Sequence, residues 1–300
     1  MPYLRGGSIL FYAKRGRGAA RTGKRLRGGA GSHRMPGMKY RLSRMRAAWL
    51  AGCVAAATAA AGDGEAEELM RRVRMSMPDV PLEMEAAIRV IDRTGRPLRT
   101  VLAQAHLAPR ADGRVARYTL LDDFGGVMQE MTVELGGATA DFSFAEGDPP
   151  QPAPLPDLFG SVAETGISWM ELSFSFFWWP NPRIVGSERV ANRWDCRIIE
   201  MDCPPELASA AEGNWSRIRL WVAPAYGAVV RGEAWRGGGA VKRFEVQSVK
   251  KLRQVYMIGD MEVRDLVSGR RAKLKVGRMQ MVSPEYTPEE LEELNAPIEW

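Results

Sequence analysis

Histidine is nearly absent and cysteine is rare: two His and three Cys occur in 300 residues. His33 and Cys53 lie in a leader region described below, which leaves His106, Cys196 and Cys203 for the folded chain. A lone His cannot build a multi-His metal centre, and no metal or cofactor is expected. His106 sits between Ala105 and Leu107 in a strand-like stretch, where a hydrogen-bonded structural role is expected. The sequence also lacks a Gly-x-Ser-x-Gly elbow, a Walker loop, a His-Glu-x-x-His helix and a dinucleotide fingerprint. No internal repeat of roughly 20 to 50 residues is visible, so a propeller or solenoid is not expected. Asp122-Asp123 is a carboxylate pair, but Phe124-Gly125-Gly126 follows it and assigns both acids to a turn.

Acid is missing from residues 1–61, which hold 13 of the 42 Lys and Arg, so the remainder carries 29 basic against 36 acidic residues. The overall charge of +6 therefore hides an acidic body, which argues against a nucleic-acid surface. Residues 1–37, rich in Gly and Arg, read as a disordered basic extension upstream of a true start at Met35 or Met38. Residues 38–61 read as a signal peptide. Met38 to Arg46 is the basic region, Ala47 to Ala61 the apolar run, and Ala59-Ala60-Ala61 the small residues before cleavage. That run is short of the about 20 residues that span a bilayer. Leu50-Ala51-Gly52-Cys53 has the form of a lipobox, but the apolar run continues well past Cys53, and ordinary cleavage after Ala61 is favoured over lipid anchoring. The expected location is the periplasm.

Residues 62–300 read as one mainly β domain. Ala66 to Met77 places Leu69, Val73 and Met77 on one helical stripe, stopped by Pro78. Leu82–Ile91, Pro97–Ala108, Arg114–Leu121 and Val127–Leu135 alternate apolar with polar residues between Gly-containing turns. Asp141 to Phe144 adds a short strand. Arg183–Val190 and Asn192–Met201 read as a pair, and Trp215 to Met281 continues the meander. Between the two sets, residues 147–182 form an insertion. Its Pro-rich first part, Gly147 to Pro156, is expected to leave the sheet. Its second part holds Trp169, Met170, Leu172, Phe174, Phe176, Phe177, Trp178 and Trp179, for which periodicity does not separate helix from strand. Residues 287–295 read as a short acidic helix capped by Thr287. Cys196 and Cys203 would be about 23 Å apart in an extended strand, so a disulfide needs a turn between them; two unpaired, buried thiols are preferred.

Apolar surface exceeds what a core needs. Trp221 and Trp235 share strand faces with Arg217, Arg219, Arg231 and Glu233, as if that surface were covered or occupied. A curved sheet crossed by the aromatic segment would enclose a cavity for an acyl chain. Its expected lining is Trp169, Met170, Leu172, Phe174, Phe176, Phe177, Trp178, Trp179, Trp221 and Trp235.

The succession Ile167 to Phe177, Gly186 to Val190, Trp194 to Glu200, Arg217 to Val222, Val230 to Glu233 and Val241 to Val246 resembles the LolA-like outer-membrane lipoprotein-sorting proteins, especially their divergent branch. The resemblance implies an incomplete, strongly curved antiparallel β-barrel with an N-terminal helix and a short helical lid. It further implies a non-enzymatic periplasmic carrier for lipoprotein acyl chains, with an inner-membrane donor and an outer-membrane acceptor as partners. A sensor of mislocalised lipid or lipoprotein that regulates envelope stress, a carboxylate-based enzyme in the same cleft, and a structural envelope protein are the alternatives. Two acids facing each other inside the cleft would favour the enzyme, and a filled interior the structural protein.

Overall fold

The computed structural model describes residues 64–282 apart from 112, 137–139, 209–213 and 253–254. The expected basic extension, signal peptide, Cys53 and acidic helix 287–295 lie outside the described residues. Helix α1 spans 64–75 and buries Leu69 and Val73. Six strands follow: β1 (Leu82–Ile91), β2 (Pro97–Arg110), β3 (Gly113–Leu121), β4 (Val127–Leu135), β5 (Ala140–Glu146) and β6 (Gln151–Ala153). Residues 154–182 then cross to the second set, β7 (Arg183–Val190), β8 (Trp194–Asp202), β9 (Arg217–Ala223), β10 (Ala228–Arg236), β11 (Gly239–Leu252), β12 (Val255–Asp265) and β13 (Arg271–Met281). Helix α2 (Trp169–Ser173) lies in the crossing, and α3 (Pro205–Ala208) follows β8.

Each meander pairs neighbour with neighbour, and the two are joined by β1 on β13, so one 13-stranded antiparallel sheet runs from β6 at one edge to β7 at the other. The sheet is not closed. It is wrapped, however, because Phe144 of β5 touches Trp169 of α2, while Phe244 of β11 touches Phe174 just beyond α2. Seven strand spacings separate β5 from β11, about 34 Å if the sheet were flat. Only strong curvature brings both walls onto one five-residue helix.

Three hairpins use the same local device. Asp92 Oδ1 accepts from the N–H groups of Thr94 and Arg96, Asp122 Oδ1 from those of Phe124 and Gly126, and Asp265 Oδ1 from those of Val267 and Ser268. The carboxylates satisfy turn donors that the ladder cannot reach, and Gly95, Gly125 and Gly269 supply the left-handed backbone that ends each turn.

Two expectations need correction. The Pro-rich stretch does not leave the sheet entirely: Gln151–Ala153 pairs with β5, and Pro152 is tolerated because β6 is an edge. His106 does lie in β2, but exposed, and no hydrogen bond of its side chain is found among the described residues.

Candidate ligand cavity

The crossing segment becomes helical at α2 because Ser168 and Glu171 cap it reciprocally. Ser168 Oγ accepts from the Glu171 N–H at 3.3 Å, and Glu171 Oε2 accepts from the Ser168 N–H at 2.8 Å. Phe174 in the left-handed region, φ 52°, stops α2 and turns the chain into the short helical turn Ser175–Trp178. The helix is too short to be stable alone, so tertiary contacts hold it. Lys242 Nζ, from β11, donates to Glu171 Oε2 at 2.7 Å and to the Gly166 carbonyl at 3.0 Å. Glu171 is 1% exposed, so Lys242 compensates a charge that water does not reach. At the other end of the segment, Arg74 of α1 donates to the Phe177 carbonyl at 3.0 Å.

Between these latches, Phe176 is fully buried and meets the rings of Phe174, Phe177, Trp179, Trp215 and Phe244. Phe244 lies across Gly232 on β10, its register partner, where any Cβ would collide with the ring. That glycine lets Phe244 lie flat enough to stack on Phe176.

Toward the α1 end of the sheet the packing stops, leaving a cavity of about 280 Å³. Leu172, Phe174 and Phe177 of the crossing segment line it, facing Ala103, Ala105 and Met84 on the sheet. Its lining is mostly apolar, with Tyr118 among the polar exceptions, and no Asp or Glu lines it among the described residues. Burial pushes the Tyr118 hydroxyl well above the ordinary tyrosine range. No hydrogen bond to that hydroxyl is found among the described residues.

The expected lining residues therefore separate into three groups. Leu172, Phe174 and Phe177 line the cavity. Trp169, Met170, Phe176 and Trp179 are buried in the main core instead, with Trp178 partly buried against it. Trp221 and Trp235 lie on the opposite face of the sheet, and their assignment to the cavity is corrected. The guanidinium groups of Arg217 and Arg219 stack over the Trp235 ring at 4.8 and 4.3 Å, and Trp221 Nε1 donates to Glu188 at 2.7 Å. Glu200 pairs with Arg219 at 2.6 Å in the same layer. Guanidiniums from the neighbouring strands, not a ligand, lie over the faces of these indoles.

Missing from the expected site are Ser168 and Lys242, the residues that latch the segment. Ser168-Trp-Met-Glu171 is a capping signature that the sequence carries directly before the aromatic run. Nothing in the sequence pairs Lys242 with it. Cys196 and Cys203 are free and buried, and burial pushes their thiols up to about 11 and about 12.

No family model matches the sequence, and no curated protein matches it. Solved structures do. A DUF1329 family protein from Desulfovibrio piger has a TM-score of 0.61 at 16% identity, over 77% of this chain and 99% of that one. A putative outer membrane lipoprotein-sorting protein domain from Vibrio parahaemolyticus has a TM-score of 0.62 at 10% identity, over 77% and 97%. A LolA superfamily protein from Nitrosomonas europaea has a TM-score of 0.52 at 14% identity, over 75% and 96%. This chain has the fold that the DUF1329, lipoprotein-sorting and LolA superfamily structures share.

Proposed function

We propose that this protein is a non-enzymatic carrier that holds an acyl chain in the cavity between its curved sheet and the latched α2 segment. The observation that carries the reading is an apolar hollow that the described side chains leave unfilled. No carboxylate lines it among the described residues, which speaks against acid and base chemistry on a bound substrate. Its volume of about 280 Å³ sits at the lower edge of the roughly 300–1,000 Å³ usual for ligand pockets, enough for a single chain while the segment stays latched. Each methylene taken from water contributes about 0.8 kcal/mol, so chain length alone can supply useful affinity. The cargo we propose is the lipid part of a lipoprotein, carried across the periplasm from an inner-membrane donor to an outer-membrane acceptor. The basic and apolar run at 38–61 and the lipoprotein-sorting fold support that setting.

The test is to purify the protein natively, identify co-purified lipid by native mass spectrometry, and repeat with Ala105→Phe. A phenyl group at Ala105 would occupy the hollow without touching the Glu171 latch. Acyl-containing adducts on the wild type that disappear in Ala105→Phe, with the far-ultraviolet circular dichroism unchanged, are expected. Adducts that persist unchanged in the variant would place the ligand elsewhere.

A further inference from the structure

Among the described residues that line the cavity, Arg193 alone is charged. It follows the turn between β7 and β8, where Ala191 and Asn192 have φ of 51° and 53° and the Arg193 N–H donates to the Val190 carbonyl at 3.0 Å. Two consecutive left-handed residues make the tight turn that suits twisted hairpins, and they fix where Arg193 leaves the backbone. The side chain is exposed, and its guanidinium lies 4.4 Å from the centroid of Trp194. Trp194 in turn meets Tyr226 edge-on at 5.2 Å. The neighbouring acid, Asp195, is engaged by Arg189 at 3.6 Å, and no carboxylate pairs with Arg193 among the described residues. A guanidinium held over a ring, with no described carboxylate on it, can still fork its N–H groups onto a carboxylate or phosphate.

We infer that Arg193 is a head-group residue, and that the cavity prefers an acyl chain whose polar end carries an anionic oxygen, carboxylate or phosphate. This rests on the acyl-chain reading above and narrows its cargo. An apolar hollow with one cation at its described lining that no described carboxylate pairs is complementary to a single-chain anionic amphiphile. A wholly neutral lipid would leave that cation to water and the Trp194 ring.

Displacement of the neutral fluorophore N-phenylnaphthylamine tests this, with palmitate, palmitoyl lysophosphatidylglycerol and neutral monopalmitoylglycerol as competitors at a pH where both acids are ionised. Wild type is expected to bind at least one anionic competitor roughly fivefold more tightly than the neutral one, between the strength of an exposed ion pair and a charge-assisted hydrogen bond. Whichever anion is preferred identifies carboxylate or phosphate as the source. Arg193→Gln should abolish the preference, read as the ratio of anionic to neutral affinity within the variant, and Arg193→Lys should keep part of it. Equal binding of all three by wild type would overturn the head-group inference and leave the cavity reading standing. A preference that survives Arg193→Gln would overturn the assignment to Arg193. Failure of every competitor and of the fluorophore to bind would overturn both readings.

Discussion

The interior of the barrel has two halves that the crossing segment treats differently. At the end nearer the β12–β13 hairpin, Trp169 meets Phe144, while Phe176 packs among five rings and is fully buried. Toward α1, the same segment offers Leu172 and Phe177 to a wall that includes Ala86, Ala103, Ala105 and Ala228, and the space between stays open. Large residues facing large residues close one half, while small residues on the strands leave the other hollow. Stability and binding are thereby assigned to different ends of one fold.

The largest effect that tests this division is a pair of truncations. Phe176→Ala removes a ring from the filled half and is expected to cost about 4 kcal/mol in urea unfolding. Leu172→Ala, whose side chain already borders empty space, should cost only about 2 kcal/mol. Equal costs would mean that the hollow half is not hollow in solution.

Next is the latch. Lys242→Met leaves the Glu171 carboxylate buried with only Ser168 as partner, at an expected cost of about 2–3 kcal/mol, somewhat below a fully buried pair because Lys242 keeps some solvent contact. The filled half should loosen first. Faster amide exchange at residues 168–178 than in β12 and β13 is the expected readout, and uniform protection would show that the ion pair does not hold the segment.

Smaller again is Gly232→Ala. The added methyl would push against the Phe244 ring, and overpacking of this kind costs about 1–2 kcal/mol. Because Phe244 stacks on Phe176 and also lines the cavity, the variant should lose stability and fluorophore affinity together. A loss of one without the other would separate the two halves more cleanly than the packing implies.

Much of the sheet was legible because alternation survives wherever one strand face is buried: β1, β3, β4 and β7 begin and end within one residue of where the pattern places them. The short β6 was not, since Pro152 reads as a breaker unless the strand is known to be an edge. The site was half legible. An aromatic run announces that something large is buried, but whether each ring fills the core or lines a cavity depends on the residue opposite. Ala103 and Ala105 carry no signal of their own. Trp221 and Trp235 misled for a related reason: indoles among arginines read as a surface that something else must cover, whereas the arginines themselves cover the indoles by stacking.

The smallest effect belongs to Tyr118, which lines the hollow half and whose hydroxyl has no hydrogen-bond partner among the described residues. If the hollow is apolar and dry, Tyr118→Phe deletes an unpaired polar atom, and near neutral pH stability should move by less than about 0.5 kcal/mol. The two proteins should then part company in alkali. Burial raises the folded-state pKa of Tyr118 above that of the unfolded chain, so above about pH 10 the unfolded state gives up a proton that the native state keeps. Stability must fall as pH rises through that window in the wild type. Tyr118→Phe lacks this contribution, while Cys196 and Cys203, which also titrate upward, are common to both and cancel in the difference. Urea midpoints measured across pH 8 to 11 should therefore coincide at the low end and diverge at the high end, with Tyr118→Phe the more stable. Midpoints that run parallel throughout would show that the hydroxyl is hydrated, and with it the cavity.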